Sequence, residues 1–300
     1  MRLQDSPEGV IETELNRRLS SIERLLDADC LTYFGPIDFS IEAIIREAVE
    51  QIDRKRARLA VILETDGGFA EVAERMAWAF RSHYPSVTFV VPDFAFSAGT
   101  ILVMSGDAIY MNYASVLGPI DPQVRRGQAA EFVPATGYLE KYKELIEKSA
   151  AGDLTTAELF YLVQSFDPAI LYRVEQEREL SISLLKEWLV KYKFKDWDRT
   201  ETQQTPVTDE LRTARSEMIA TELCNTQRWH SHGRGIRMQT LREELNLRIE
   251  DFDQDPKLGR AVRGYYDLVS AYQVRRGHWT WLIHTRGRYQ GHGHLAVGGD

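Results

Sequence analysis

Two short apolar runs, residues 59–63 (LAVIL) and 87–91 (VTFVV), constrain this chain more than any other feature. Each is too short for a buried helix and too apolar for a half-exposed strand, so each predicts a strand covered on both faces. The first runs into Thr65-Asp66-Gly67-Gly68, the second into Pro92 and then Phe94-Ala95-Phe96-Ser97-Ala98-Gly99-Thr100. A helical pattern over 70–83 lies between them. Strand, helix and strand at this spacing predict neighbouring parallel strands joined by a crossover helix. Both turns then fall at the same edge of the sheet, the carboxyl edge at which open α/β sheets bind ligands.

The flanking sequence extends the alternation. Residues 8–28 predict an amphipathic helix with Val10, Leu15, Leu19, Ile22 and Leu26 on one side. A first strand follows at 30–34, ended by Gly35-Pro36. Ser40 is a candidate N-cap for a helix whose buried face is Ile41, Ile44, Ile45, Ala48, Val49 and Ile52. A short strand is predicted at 108–111. From Tyr138 the pattern changes to helices over 138–148, 155–166 and 169–193, then a polar aperiodic stretch over 194–209. Further helices are predicted over 210–224, 239–244 and 262–272, with an extended piece at 247–252. The predicted architecture is therefore α/β: a parallel sheet covered by helices, with a helical C-terminal extension. Its parts are an N-terminal helix (1–30), the α/β domain (31–193), the helical extension (194–274) and a Gly/Arg/His-rich mobile tail (275–300).

Composition excludes several classes. The net charge of −8 argues against general affinity for nucleic acid. No stretch has the apolar length of a membrane span, and the polar N-terminus has no signal-peptide core. The two cysteines, Cys30 and Cys224, form no metal-ligand pattern, so a cytoplasmic location with both thiols reduced is expected. His278, His284, His292 and His294 sit in a Gly-rich setting that reads as solvated tail. No metal or cofactor is expected.

A serine on a sharp turn between a buried strand and a helix has its hydroxyl raised above the sheet edge, beside unpaired helix N-terminal N–H groups. Gly67 and Gly68 let the backbone approach a bound substrate with N–H groups free to donate. The sequence Asp66-Gly67-Gly68, then Ser97-Ala98-Gly99-Thr100, then Leu117-Gly118-Pro119-Ile120-Asp121-Pro122 resembles the Clp-fold serine proteases, including the spacing of 29 (97 − 68) between Gly68 and Ser97. It is most similar to the serine dehydrogenase proteinase family, relatives of signal peptide peptidase A and the Clp protease proteolytic subunit. The resemblance covers roughly residues 30–270, with His232 to Ile236 similar to the family's C-terminal region. It implies a Clp/crotonase-like fold, Ser97 as nucleophile, Gly68 and Ala98 as oxyanion donors, and Gly67, Gly99 and Pro119 against the substrate. It also implies a peptide or protein substrate and a homo-oligomer.

The general base is open at this level. A serine nucleophile needs a His or a desolvated Lys. No histidine lies between His83 and His230, which removes a His placed soon after the nucleophile. Signal peptide peptidase A relatives carry a lysine forty to fifty residues after the serine, and Lys141, Lys143 and Lys148 occupy that window. Lys148, followed by small residues, stands ahead of Lys141, although all three sit in a charged helical stretch where ion-paired lysines are ordinary. His232 is the other candidate. The family has a His at the matching place, while a capping or packing role before Ile236 is the plainer reading of the residue itself. Asp121, between Pro119 and Pro122, reads as a turn residue.

The leading expectation is a serine peptidase acting through a Ser97 acyl-enzyme. The alternatives are an inert peptide-binding or assembly module of the same fold, and a crotonase-like acyl-CoA enzyme. The latter uses the paired N–H groups but needs no nucleophile at Ser97.

Overall fold

The computed structural model describes residues 6–53, 55–121, 123–125, 132–200 and 203–293. The chain opens with helix α1 (Pro7–Leu26), strand β1 (Asp29–Phe34), α2 (Glu42–Glu50), β2 (Arg58–Glu64), α3 (Ala70–His83) and β3 (Ser86–Val90). Next come β4 (Phe94–Ala95), α4 (Ala98–Met104), β5 (Ala108–Met111), β6 (Val116–Leu117), β7 (Gln123–Arg125), β8 (Phe132–Pro134), α5 (Ala135–Ala151) and α6 (Thr156–Ser165). Helix α7 (Pro168–Trp188) runs on into a π-helical turn, Leu189–Lys193. The remainder is α8 (Asp209–Leu223), α9 (Thr226–Trp229), β9 (Ile236–Arg237), α10 (Met238–Glu243), β10 (Glu250–Asp251), α11 (Pro256–Arg276), β11 (Trp281–Thr285) and β12 (Arg288–His292).

Seven strands form the central sheet in the order β10-β5-β3-β2-β1-β11-β12. β1, β2, β3, β5 and β10 are parallel, as the predicted crossovers require. Side-chain alternation then divides the core. Leu31 and Tyr33 of β1 with Leu59, Val61 and Leu63 of β2 enter one cluster with α2, α3, α4, α7 and α8. Cys30 and Phe34 with Ala60 and Ile62 enter a second cluster beneath α1 and α11. Both faces are covered, which is why LAVIL carries no polar positions.

Two expectations about boundaries are corrected. Ser40 does not cap α2: its backbone N–H (2.9 Å) and its hydroxyl (2.5 Å) both donate to Asp38 Oδ1, and the helix begins after Ile41 without a side-chain cap. The tail expected to be mobile from Arg275 is, through His292, an ordered hairpin. β11 pairs antiparallel with β1, Leu31 opposite Thr285 and Phe34 opposite Leu282. Trp281-Leu282-Ile283-His284-Thr285 is buried along its whole length. Within the helical extension, β10 adds to the sheet beside β5 and α11 packs against α1. His294 lies outside the described residues.

The buried tail histidine has a consequence for stability. His284 is fully buried, with Nδ1 2.7 Å from the Tyr265 hydroxyl, which is itself 2.7 Å from Thr32 Oγ1. Its Nε2 is buried with no hydrogen-bond partner among the described residues. Desolvation therefore depresses its pKa from 6.5 to about 3. The unfolded chain binds a proton near pH 6.5 that the folded chain refuses. Stability from this group is complete above pH 6.5 and is lost as pH falls toward 3. The loss between pH 6.5 and 4.5 is expected to be roughly 2–3 kcal/mol. Urea titrations at the two pH values check this: His284→Phe should show a correspondingly smaller change, whatever its absolute stability.

Candidate active site

Ser97 stands between β4 and α4 with φ 51° and ψ −115°, a left-side backbone conformation unusual for a residue with a side chain. Surrounding bonds hold it there. Thr65 N–H donates to the Phe94 carbonyl at 3.2 Å, and Phe96 N–H donates to the Thr65 carbonyl at 2.9 Å. Thr100 Oγ1 lies 2.9 Å from the Ala95 carbonyl and 2.8 Å from the Gly118 carbonyl, and it accepts the Gly118 N–H at 3.1 Å. The Ser97 turn is thus tied to the end of β2 on one side and to the Leu117-Gly118 segment on the other.

The glycine turn lies directly against it. A Cβ on Gly67 would sit 2.8 Å from Ser97 Cβ and 2.7 Å from the Phe96 carbonyl oxygen. Gly67 N–H is taken by Thr65 Oγ1 at 3.0 Å, and its carbonyl accepts from Ile37 N–H at 2.8 Å. Gly68 forms an isolated parallel bridge with Ile37, whose carbonyl accepts Phe69 N–H at 2.8 Å. The N–H groups of Gly68 and Ala98, and the Ser97 hydroxyl, make no hydrogen bond among the described residues. Gly68 is solvent-exposed. Three hydrogen-bonding groups are therefore left open at one place, where buried backbone is otherwise paired.

They open into a cavity of about 710 Å³. Its wall includes Gly67, Gly68, Ser97, Ala98, Asp121 and His232, together with Ile170 and Val174 of α7. His232 Nδ1 is bonded to Asp121 Oδ1. The Asp121 side chain is 1% exposed and that of His232 20%, so the carboxylate is enclosed while the imidazole reaches the cleft. The pairing follows from strand register. β6 and β9 are antiparallel with Leu117 opposite Ile236, and Asp121 and His232 each lie four positions beyond that pair, one on either strand. Ile120 N–H bonded to the Leu223 carbonyl at 2.9 Å fixes the Asp121 loop on α8. A close fit of Gly235 against Val116 lets the two strands approach.

The lysines are elsewhere. Lys141 Nζ is 2.9 Å from Glu144, and Lys148 Nζ is 2.7 Å from Glu158 and 3.3 Å from Glu144; neither lysine lines the cavity. Lys143 is exposed on the same helix. The carboxylates of Glu158 and Glu144 raise the pKa of Lys148, whereas a lysine base needs a lowered one. Among the described residues His232, and neither Lys141 nor Lys148, shares the cavity wall with Ser97. Gly99 and Pro119, the other expected substrate contacts, are placed as follows. Both are buried and neither lines the cavity: a Cβ on Gly99 would meet Thr65 Cγ2 at 2.3 Å, so its smallness serves the packing of α4 on the strand end. Asp121 is the residue that local sequence undervalued. It stands inside the Leu117-to-Pro122 stretch, but its partner is 111 positions away.

No group of three or more His, Cys, Asp or Glu side chains among the described residues is placed to hold a metal ion. No helix among them is long and apolar enough to cross a membrane.

Comparison with known proteins gives the following similarities. Two uncharacterized proteins of Methanocaldococcus jannaschii are similar to parts of the chain. One is 32% identical over 127 residues, 42% of this chain and 38% of the relative. The other is 36% identical over 75 residues, 25% of this chain and 26% of the relative. The chain thus spans less than two-fifths of the length of these curated relatives. Among solved structures, an alanine variant of the 1510-N membrane-bound stomatin-specific protease aligns with a TM-score of 0.44 and 13% identity, covering 76% of this chain and 81% of that one. A second alanine variant of that protease, in complex with a substrate peptide, aligns with a TM-score of 0.43 and 13% identity over 87% of this chain and 85% of that one. The family described as ClpP-like SDH-type serine proteinase matches residues 31–199, more than half of the sequence, and includes the Gly67-Gly68 turn, Ser97 and Asp121. This chain belongs to the ClpP-like SDH-type serine proteinases.

Proposed function

We propose that the protein is a serine peptidase in which Ser97, His232 and Asp121 act as a catalytic triad. The observation that carries this reading is the shared cavity: the open Ser97 hydroxyl, the Asp121-bonded His232 and the unpaired N–H groups of Gly68 and Ala98 all face one space. With Nδ1 held by Asp121, the imidazole presents Nε2 as proton acceptor. Ser97 Oγ attacks the peptide carbonyl carbon and its proton passes to Nε2. The carbonyl oxygen becomes an oxyanion and accepts from the Gly68 and Ala98 N–H groups. Collapse breaks the C–N bond, and His232 gives its proton to the leaving amine. Water, deprotonated by the same imidazole, then hydrolyses the acyl-enzyme. Asp121 holds the imidazole in that orientation throughout. The Ile37 bridge takes up the Gly67 carbonyl and the Phe69 N–H, so an extended substrate meets this turn through the open Gly68 N–H.

Fluorophosphonate labelling followed by peptide mapping tests the reading. One label per chain at Ser97 is expected, absent in Ser97→Ala and retained in a Lys141→Ala/Lys148→Ala double variant. An unlabelled Ser97 overturns the nucleophile. Loss of labelling in the folded lysine double variant overturns His232 as base.

A further inference from the structure

A second cavity, about 300 Å³, lies between α1 and α11 and shares no residue with the active-site cleft. Its wall is Arg17, Arg18 and Ser21 of α1 with Arg260, Ala261 and Gly264 of α11. Three guanidiniums around one small space are unexpected on a chain of net charge −8.

The charge there is only partly compensated. Arg17 Nε and Arg18 Nε both donate to Glu14, at 2.6 and 2.7 Å, so one carboxylate serves two cations. Their donation holds the Glu14 carboxyl down at about 2, so it stays ionised throughout the ordinary pH range. Arg18 Nη1 also donates to the Gly264 carbonyl, which anchors that side chain across the groove. Arg260 is exposed and has no ion pair or hydrogen bond among the described residues. Ser21 Oγ faces the same space, donates to the Arg17 carbonyl at 3.2 Å and accepts from Arg24 at 3.2 Å. Gly264 lies beside Arg18, whose Nη1 is the nearest atom a Cβ there would meet, at an ordinary contact distance of 3.7 Å.

From this arrangement we infer that the cavity between α1 and α11 is a binding site for a phosphate group, gripped by Arg17, Arg18 and Arg260 with Ser21 beside it. Glu14 takes the Nε and Nη2 groups of Arg17, so the remaining N–H groups of Arg17 and Arg18 and the guanidinium of Arg260 are the donors left for phosphate oxygens. The Glu14 clamp keeps Arg17 and Arg18 oriented in the absence of ligand, while Arg260 is free to close from the facing helix. The site is open to solvent, since the Arg17 side chain is 67% exposed, so its affinity should be modest and should weaken with salt.

Titration calorimetry of the full chain with sodium pyrophosphate, at fixed ionic strength, tests this. One saturable site per chain is expected, weakened at least tenfold by Arg260→Ala and by Arg17→Ala. Both residues are surface side chains, and circular dichroism and a melting curve verify that each variant folds. Co-sedimentation with phosphatidic acid vesicles forms the second arm. Pyrophosphate binding without vesicle binding assigns a free phosphate compound, and vesicle binding lost in Arg260→Ala assigns a lipid headgroup. No saturable binding in either arm, or equal binding by both folded variants, overturns the site. Neither result touches the assignment of Ser97, because peptide hydrolysis is read separately.

Discussion

Asp121→Asn is expected to lower kcat toward a cleaved peptide by about 10³–10⁴-fold, with little change in KM or melting temperature. The Asp121 side chain is enclosed, and its bonded oxygen contacts His232 Nδ1. An amide of the same shape can present its NH₂ group to that nitrogen, which favours the tautomer with the proton on Nε2. The acceptor that Ser97 needs is then occupied. A lysine base would make the same substitution nearly silent, so the variant separates the two mechanisms. His232→Ala should lose a comparable factor, and the double variant should be little worse than either single one, because residues of a triad act as a unit. Steady-state kinetics on one peptide substrate, with folding checked by thermal melting, decides the matter. A folded Asp121→Asn variant within tenfold of wild type would remove Asp121 and His232 from the chemistry.

Gly68→Ala combines two losses. At φ +149° an L-residue is strained, and the added Cβ would lie 2.1 Å from the Ile37 carbonyl oxygen and 2.7 Å from its carbon. Those are backbone atoms in a bridge that fixes the turn, so the clash is relieved only by moving Gly68 away from Ile37. That movement carries off the N–H assigned to the oxyanion. Loss of one such donor alone reduces kcat by about 10²–10³-fold. The strain and displaced contact are expected to destabilise the fold by roughly 2–4 kcal/mol. Gly137→Ala is the matched control: that glycine lies in α5, and a Cβ there meets nothing within 4 Å. It should leave activity unchanged and raise stability slightly, by roughly 0.5–1 kcal/mol. Urea midpoints and kcat measured on the two variants together distinguish a site-specific effect from a general intolerance of glycine replacement.

Much of the molecule was legible from neighbouring residues. The apolar runs at 59–63 and 87–91 are strands because no position in them can face water, and β2 and β3 include nearly all of both. Helix α3 occupies the predicted 70–83 because its apolar spacing admits one buried face. Adjacency of β2 and β3 follows from the crossover, and with it the meeting of Gly67-Gly68 and Ser97 at one sheet edge. These are short-range consequences of side-chain periodicity and turn chemistry, so the meeting of the glycine turn with Ser97 could be placed without coordinates.

What tertiary structure decided lies at long separation. His232 finds Asp121 only because β9 runs antiparallel to β6, a pairing of two-residue strands too short to leave a periodic signal. Lys148 satisfies the spacing expected of a base, yet α5 points it at Glu158, where it keeps its proton. The Gly/Arg/His-rich end looks mobile by composition, but Trp281 to Thr285 is buried against β1, nearly 250 positions earlier in sequence. Local sequence fixes which backbone shapes a segment can adopt. The partner of a buried carboxylate, the protonation of a lysine and the burial of a strand depend on which distant surfaces meet, and that is settled when the whole chain closes on its core.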